Sequence, residues 1–243
     1  MGYLGSHTIV ALQEAGCTVA SADTHRRLNL ISDVIAGFSV ITPLNPLSPY
    51  GKTKAIGEQI IRDFVSNHRL QAIALRFFNP VGAHPSAEIG EFPRGVPSNL
   101  LPYMAQVAAG LHDHMRIWGD DYHTPDGTCI RDFIHVCDLA EVHVKALEHI
   151  MELRQQQSFE VFNIGTGQGI SVRQMHAAFE QTNHLRVQAK VYARRPGDIM
   201  SMYATTQKAE QTLGWKAAHH LSSMVATAWA WQQKLSISKP SCP

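Results

Sequence analysis

No C-x-x-C pair occurs in this sequence, and its four cysteines, Cys17, Cys129, Cys137 and Cys242, are too few and too scattered to staple a fold. A disulfide scaffold is excluded, and the thiols read as buried or incidental. Charge of one sign is also missing. Lys and Arg total 21 against 20 Asp and Glu, a formal net charge of +1. That leaves no broad field to attract nucleic acid or an anionic membrane surface. No apolar run approaches the ~18–20 residues that span a bilayer, and the start of the chain lacks the basic-then-apolar pattern of a secretory leader. The expected setting is the cytoplasm, with neither membrane nor nucleic acid as partner. Histidine is plentiful at 14 residues. Yet His112 with His114, and His219 with His220, have no matching thiolate or i, i+4 helical partner beside an acid, so no metal is assigned.

What is present is an alternation of helices and strands. With 243 residues, 44% hydrophobic and 17% charged, the chain can bury a real core. His7 to Ala15 reads as a helix stopped by Gly16, and Thr18 to Ala22 as a strand ending at Asp23. Leu28 to Ile35 carries a weaker helical pattern, and Gly37, Pro43, Pro46 and Pro49 punctuate a loop. Ser48 is placed to cap a helix with Pro49 in its first turn. Ile56, Ile60, Ile61, Phe64 and Val65 then give an amphipathic helix to about His68. Gln71 to Phe78 reads as a buried strand, Pro80 to Pro102 as loop-rich, and Tyr103 to Gly110 as a helix. Asp138 is expected to cap a helix carrying Leu139, Val142, Ala146 and Ile150. Glu160 to Ile164 reads as a strand, Gly165, Gly167 and Gly169 as a turn, and Ser171 with Gln174 as a capping box. The pattern predicts an α/β fold with a mainly parallel sheet.

Several residues have chemical potential. Gly2-Tyr3-Leu4-Gly5 before a helix would let the backbone approach a pyrophosphate, and Asp23 beyond the next strand could accept hydrogen bonds from a ribose. Tyr50 and Lys54 stand at i and i+4, on one helical face. A nearby ammonium lowers a phenol's pKa and makes it a plausible proton acceptor. Arg131, Arg194 and Arg195 lie in loop-like DGTCIRD and ARRPGD, suited to clasping a diphosphate with forked guanidinium groups. Asn79 and Asn99 could read a sugar or phosphate. An acidic turn residue, an exposed Tyr/Lys pair, solvated arginines and capping asparagines are the plainer readings of the same positions.

Taken in order, GYLGSHT, SPYGKTK, LRFFNPVGAHP, GVPSNLLPY, DGTCIRDFIHVCDLAEVH, FNIGTGQGISV and RRPGD resemble the UDP-glucose 4-epimerases, a family of extended short-chain dehydrogenase/reductases. The resemblance implies a tightly held NAD and inversion of the sugar's C4 hydroxyl, with Tyr50 taking the hydroxyl proton while NAD oxidises C4. Lys54 would lower the Tyr50 pKa and hold the nicotinamide ribose. Gly2, Tyr3, Leu4, Gly5, Asp23 and Phe77 fall at cofactor-binding positions. Asn79, Asn99, Leu100, Trp118, Arg131, Arg195 and Asp198 fall where the family grips the UDP-sugar. Arg131 and Arg195 would meet the diphosphate, and Asp198 a ribose or sugar hydroxyl. The family pairs through helices that include the one bearing Tyr50, which implies a homodimer.

Only Gly2 and Gly5 of the family's glycine turn are present, and 26 residues separate Asp23 from Tyr50. At ~30 residues per βαβ unit, on the order of 80–100 residues of the family's nucleotide-binding half are expected to be missing. The expected architecture is therefore a truncated Rossmann-like parallel sheet with a smaller C-terminal substrate-binding domain. Residues 1–80, joined by 132–168, would form the residual NAD-binding domain; 81–131 and 169–243 would form the UDP-sugar-binding domain. A sheet short of those strands has unpaired edges, so weak NAD binding is expected. Three readings stay open: a UDP-glucose/UDP-galactose 4-epimerase, a remnant that binds a UDP-sugar with little or no turnover, and an enzyme for another nucleotide sugar.

Overall fold

In the computed structural model the described residues are 2–17, 49–68, 70–153 and 158–237. The first half holds α1 (Tyr3–Glu14), α2 (Pro49–His68), β1 (Gln71–Phe77), β2 (Asn79–Val81), α3 (Leu100–Ala108), β3 (Met115–Trp118), β4 (Ile130–Arg131) and β5 (Phe133–His135). The second holds α4 (Val136–Glu152), β6 (Ser158–Ile164), β7 (Ile170–Ser171), α5 (Val172–Asn183), β8 (Ala189–Tyr192), β9 (Ser201–Met202), α6 (Gln207–Leu213) and α7 (Leu221–Ile237). The strand expected at Thr18 to Ala22, Asp23, the helical pattern of Leu28 to Ile35 and the Ser48 cap lie outside the described residues. Among the described residues no helix is long and apolar enough to cross a membrane.

Pairing is mainly parallel, as the alternating pattern predicts. β1 runs beside β6 from Gln71 opposite Ser158 to Phe77 opposite Ile164. The Phe78 amide donates to Ile164 O and the Asn79 amide to Asp132 O, each at 3.0 Å. The chain thus changes neighbours within one residue, leaving β6 and joining β5, with which β2 pairs in parallel. β3 pairs with β8 and β4 with β9, also in parallel, while β4 with β7 is antiparallel. Successive strand residues face opposite ways, and β5 uses this to separate two cores. Phe133 enters one with Leu101, Met104, Met115, Phe179 and Val225. Ile134 enters the other with Leu75, Phe77, Leu139, Phe162, Ile164 and Trp215.

The helices follow the sequence pattern with instructive departures. The α5 capping box is present: Ser171 Oγ accepts from the Gln174 amide and Gln174 Oε1 from the Ser171 amide, at 3.0 and 2.8 Å. α1 begins four residues before the expected His7, because Gly2 takes the extended capping conformation and Leu4 packs on the second core. α3 begins at Leu100 and ends at Ala108, ahead of the expected Tyr103 to Gly110. Asp138 does not cap α4. His135 does, accepting the Cys137 amide on Nδ1 at 3.1 Å. Asp138 is buried in the first turn and accepts instead from the amides of Ala218 and His219 and from His219 Nδ1. The apolar stripe of α2 is split: Val65 is buried and Ile61 half-buried, while Ile56, Ile60 and Phe64 are 58%, 62% and 53% exposed, and the helix also buries Gly51 and Glu58.

Asp132, between β4 and β5, has no exposed surface. Its carboxylate accepts from Thr166 N and Oγ1 at 2.9 and 2.6 Å, and from the Gly167 and Ala204 amides, each at 3.0 Å. Gly165 makes this possible, since a Cβ there would lie 2.5 Å from Asp132 Oδ2. Burial pushes the Asp132 pKa up, and the four donors pull it down. Asp132→Ala would strand the buried Ala204 amide, at a cost of about 1–3 kcal/mol, together with the partly buried Thr166 and Gly167 amides. The expected outcome is loss of cooperative thermal unfolding, or a fall in Tm of more than about 10 °C, measured by calorimetry.

His135 is fully buried, stacked on His219 with ring centroids 4.1 Å apart. With Nδ1 accepting, its proton sits on Nε2 and is donated to Thr227 Oγ1 at 3.1 Å. A second proton would break the cap. Burial first, then the His219 charge, lowers its pKa from 6.5 to about 4. The unfolded chain therefore binds the proton first as pH falls, so stability drops between pH 6.5 and 4, by about 3 kcal/mol at ~1.4 kcal/mol per unit. Urea unfolding across that range should show the loss, and His135→Asn should flatten it.

Candidate functional site

β2, the loop before α3, the start of α3, β3, β4 and the 195–198 loop surround a cavity of about 430 Å³. Asn79 reaches it because the chain changes strand neighbours there. Asn99 and Leu100 reach it at the capping and first positions of α3. The Asn99 amide donates to Glu91 Oε1 at 2.9 Å, and burial pushes the Glu91 pKa up against that donation. Trp118 stands at the end of β3, with the Arg195 guanidinium 5.6 Å from its ring. All seven expected substrate positions, Asn79, Asn99, Leu100, Trp118, Arg131, Arg195 and Asp198, line this one cavity.

Its charged side is an arginine–aspartate lattice. Arg195 donates to Asp198 from Nε and Nη2 at 2.9 and 3.2 Å. Arg131 lies in β4 rather than a loop, is tied by Nη1 to Ile130 O and Ile199 O, and has Nη2 3.8 Å from Asp198 Oδ1. Asp198 is thus shared by two guanidinium groups. Arg194 goes elsewhere: it pairs with Asp121 at 2.7 Å and covers the Tyr122 ring at 4.1 Å. Sequence reasoning missed Arg116, which also lines the cavity. The signal was the M-R-I-W alternation of β3, in which Met115 and Ile117 are buried and Arg116 faces out beside Trp118. The lining carries three arginines and one aspartate, a balance suited to a dianionic ligand.

The expected catalytic and cofactor residues stand apart from this lining. Tyr50 and Lys54 lie on α2, with Lys54 Nζ 5.0 Å from the centroid of the Tyr50 ring and Tyr50 52% exposed. Phe77 packs in the second core. Gly2 caps α1, so Tyr3, Leu4 and Gly5 form its first turn rather than a loop. The Tyr3 hydroxyl donates to Gly82 O at 2.6 Å, and burial pushes its pKa well above 10.0. Gly82 has φ +88, and a Cβ would meet His135 Nε2 at 2.9 Å. Only glycine fits that approach. Asp23 lies outside the described residues.

A family model for GDP-mannose 4,6 dehydratase matches residues 33–228. UDP-glucose 4-epimerase 2 of Arabidopsis thaliana is 48% identical over 191 residues, which is 78% of this chain and 54% of that protein. The chain thus spans about half the length of the relatives it matches in sequence. Its fold is similar to that of the Stenotrophomonas maltophila UDP-glucose 4-epimerase, crystallised with NAD and formylated UDP-arabinopyranose. That match has TM-score 0.80 and 40% identity over 95% of this chain and 68% of that one. The Bifidobacterium longum UDP-glucose 4-epimerase, crystallised with NAD+ and UDP, matches with TM-score 0.76 and 44% identity over 81% of this chain and 58% of that one. By its family match and these similarities, the chain belongs to the GDP-mannose 4,6-dehydratase family, among the UDP-glucose 4-epimerases.

Proposed function

We propose that this chain binds a UDP-sugar in the cavity of Asn79, Asn99, Leu100, Trp118, Arg131, Arg195 and Asp198. In this reading Tyr50 and Lys54 handle the sugar's 4-hydroxyl proton in an NAD-dependent interconversion of UDP-glucose and UDP-galactose. The observation that carries the reading is the gathering of all seven residues around one cavity whose two linked arginines share Asp198. A diphosphate would displace Asp198 from Arg131 and Arg195 and take charge-assisted, forked hydrogen bonds. The freed Asp198 carboxylate would then accept from a ribose or sugar hydroxyl. Tyr50, with an ordinary pKa of about 10, becomes a usable proton acceptor beside the Lys54 ammonium.

Bound NAD supplies reversible oxidation at the sugar C4. The residues present fit it at two points. The α1 N-terminus has no acidic residue in its first turn and, among the described residues, nothing within 4 Å of where a Gly2 Cβ would lie, offering backbone N–H groups to a pyrophosphate. Lys54 offers an ammonium to the nicotinamide ribose. We further infer two lobes, residues 1–80 with 132–168 on the NAD side and 81–131 with 169–243 on the UDP-sugar side. The outward Ile56, Ile60 and Phe64 of α2 support a homodimer. The free thiols Cys17, Cys129 and Cys137 support a reducing, cytoplasmic setting. A second reading, UDP-sugar binding with little or no turnover, is favoured by the separation of Tyr50 from the cavity lining.

Calorimetric titration with UDP, paired with a UDP-galactose conversion assay and a test for NAD released on denaturation, separates these readings. Arg195→Ala is expected to weaken UDP roughly 10- to 100-fold, the loss of one charge-assisted contact. Tyr50→Phe is expected to leave UDP affinity unchanged and to slow conversion roughly 10²- to 10⁴-fold. UDP binding without NAD or conversion selects the second reading. Absence of UDP binding removes both.

A further inference from the structure

Tyr50, Lys54 and Glu58 follow each other at i, i+4 and i+8 on α2. Successive members of that stripe differ by about 40° around the helix, and its ends lie about 12 Å apart along it. At its inner end Glu58 is 3% exposed and accepts two hydrogen bonds from Arg76, from Nε to Oε1 and from Nη2 to Oε2, both at 2.7 Å. Arg76 is also buried, at 8% exposure, one residue before the end of β1. Three residues further along the same chain segment is Asn79 in the cavity wall.

Among the described residues, few apolar side chains of α2 are fully buried, so hydrophobic docking does little to set the rotation of this helix on the sheet. The fully buried residues of α2 are Gly51, Glu58 and Val65, with Ile61 half-buried, while Ile56, Ile60 and Phe64 face outward, and at the rim the exposed Arg62 lays its guanidinium 4.9 Å from the Phe159 ring of β6. Glycine has no side chain to interlock, and valine packs without direction. The forked Glu58–Arg76 contact is planar and bidentate, so it fixes both angle and height. We propose that Glu58 and Arg76 are positioning residues: they set the azimuth of α2, and so hold the Lys54 ammonium against Tyr50 and both at a fixed station relative to Asn79. The inference rests on the reading of Tyr50 and Lys54 as the proton-handling pair.

The test follows the Tyr50 phenol directly, in the full chain, by carbon-13 NMR of labelled tyrosine over a pH titration. Lys54→Met identifies how far the ammonium lowers the Tyr50 pKa. The variants are Glu58→Gln and the double variant Glu58→Leu with Arg76→Met, which removes both charges together and leaves no buried ion unpaired. The expected result is an upward shift of the Tyr50 pKa in each folded variant, to within about 0.3 units of its value in Lys54→Met. UDP affinity should stay within twofold, and adding Lys54→Met to the double variant should cause no further shift. The charge-swapped Glu58→Arg, Arg76→Glu variant is expected to recover at least half of the lost depression. A Tyr50 pKa unchanged from wild type in the folded double variant overturns the positioning role while sparing the Tyr50–Lys54 reading. A wild-type Tyr50 pKa that Lys54→Met does not move overturns that reading and the positioning role with it.

Discussion

The Asp132 carboxylate is the contact on which the rest of the molecule depends. Three separate segments, the β4–β5 junction, the turn after β6 and the strand leaving β9, meet on its two oxygens. Buried backbone amides at such junctions need acceptors, and a carboxylate with its several lone pairs can take all four donors where an asparagine would present N–H groups to some of them. The consequences run along the chain in both directions. Arg131 on one side is aimed into the cavity, and Phe133 on the other enters the first core. Gly165 has to lack a side chain because the same carboxylate lies beneath it. One buried charge thus coordinates the cavity wall, the strand order and a turn composition.

The cavity uses charge in the opposite manner. Asp198 is only partly enclosed and is shared between Arg131 and Arg195, so in the proposed binding an entering anion would take over its contacts. Arg131 stays anchored during such an exchange, because its Nη1 is held by two backbone carbonyls. A guanidinium positioned before binding loses less side-chain freedom on meeting a phosphate. Asp132 lies just past the end of β4 and Asp198 in the loop before β9, the strand that pairs with β4; full burial makes the first a fixed structural ion, and partial exposure lets the second act as a placeholder in the proposed binding.

Local signals in the sequence translate directly into structure, and signals that need a partner do not. The Ser171–Gln174 box is legible because donor and acceptor are three residues apart and satisfy each other. The amphipathic stripe of α2 is legible as a helix, but periodicity does not name what the stripe faces. The buried Arg76 opposite Glu58 decided that, and neither residue stands out in a hydrophobic pattern. Asp138 has the composition of a cap, yet His135 lies nearer the helix start and the carboxylate found the amides of residues 218 and 219, far along the chain. Arg194 and Arg195 are neighbours in sequence and diverge onto Asp121 and Asp198. Asn79, Asn99, Arg131 and Arg195 are legible as candidates from residue type and context, but only the resemblance adds Leu100, Trp118 and Asp198 and joins all seven into one site, because Asn79 and Asp198 come together only through the tertiary fold.

On the proposed reading, binding and proton transfer are mounted on different elements of this chain. The cavity belongs to β2, α3, β3, β4 and the 195–198 loop, which are braced by Asp132 and the first core. The Tyr50–Lys54 pair belongs to α2, whose buried directional link to the sheet among the described residues is the Glu58–Arg76 pair, with Arg62 over Phe159 at the rim. A buried ion pair is costly to desolvate and gives geometry more surely than it gives stability. Its value here is therefore orientation. Loosening that contact leaves the cavity walls in place, since none of its lining residues comes from α2. On the proposed reading, grip on the nucleotide and command of the sugar proton are thus carried by physically separate parts of the fold.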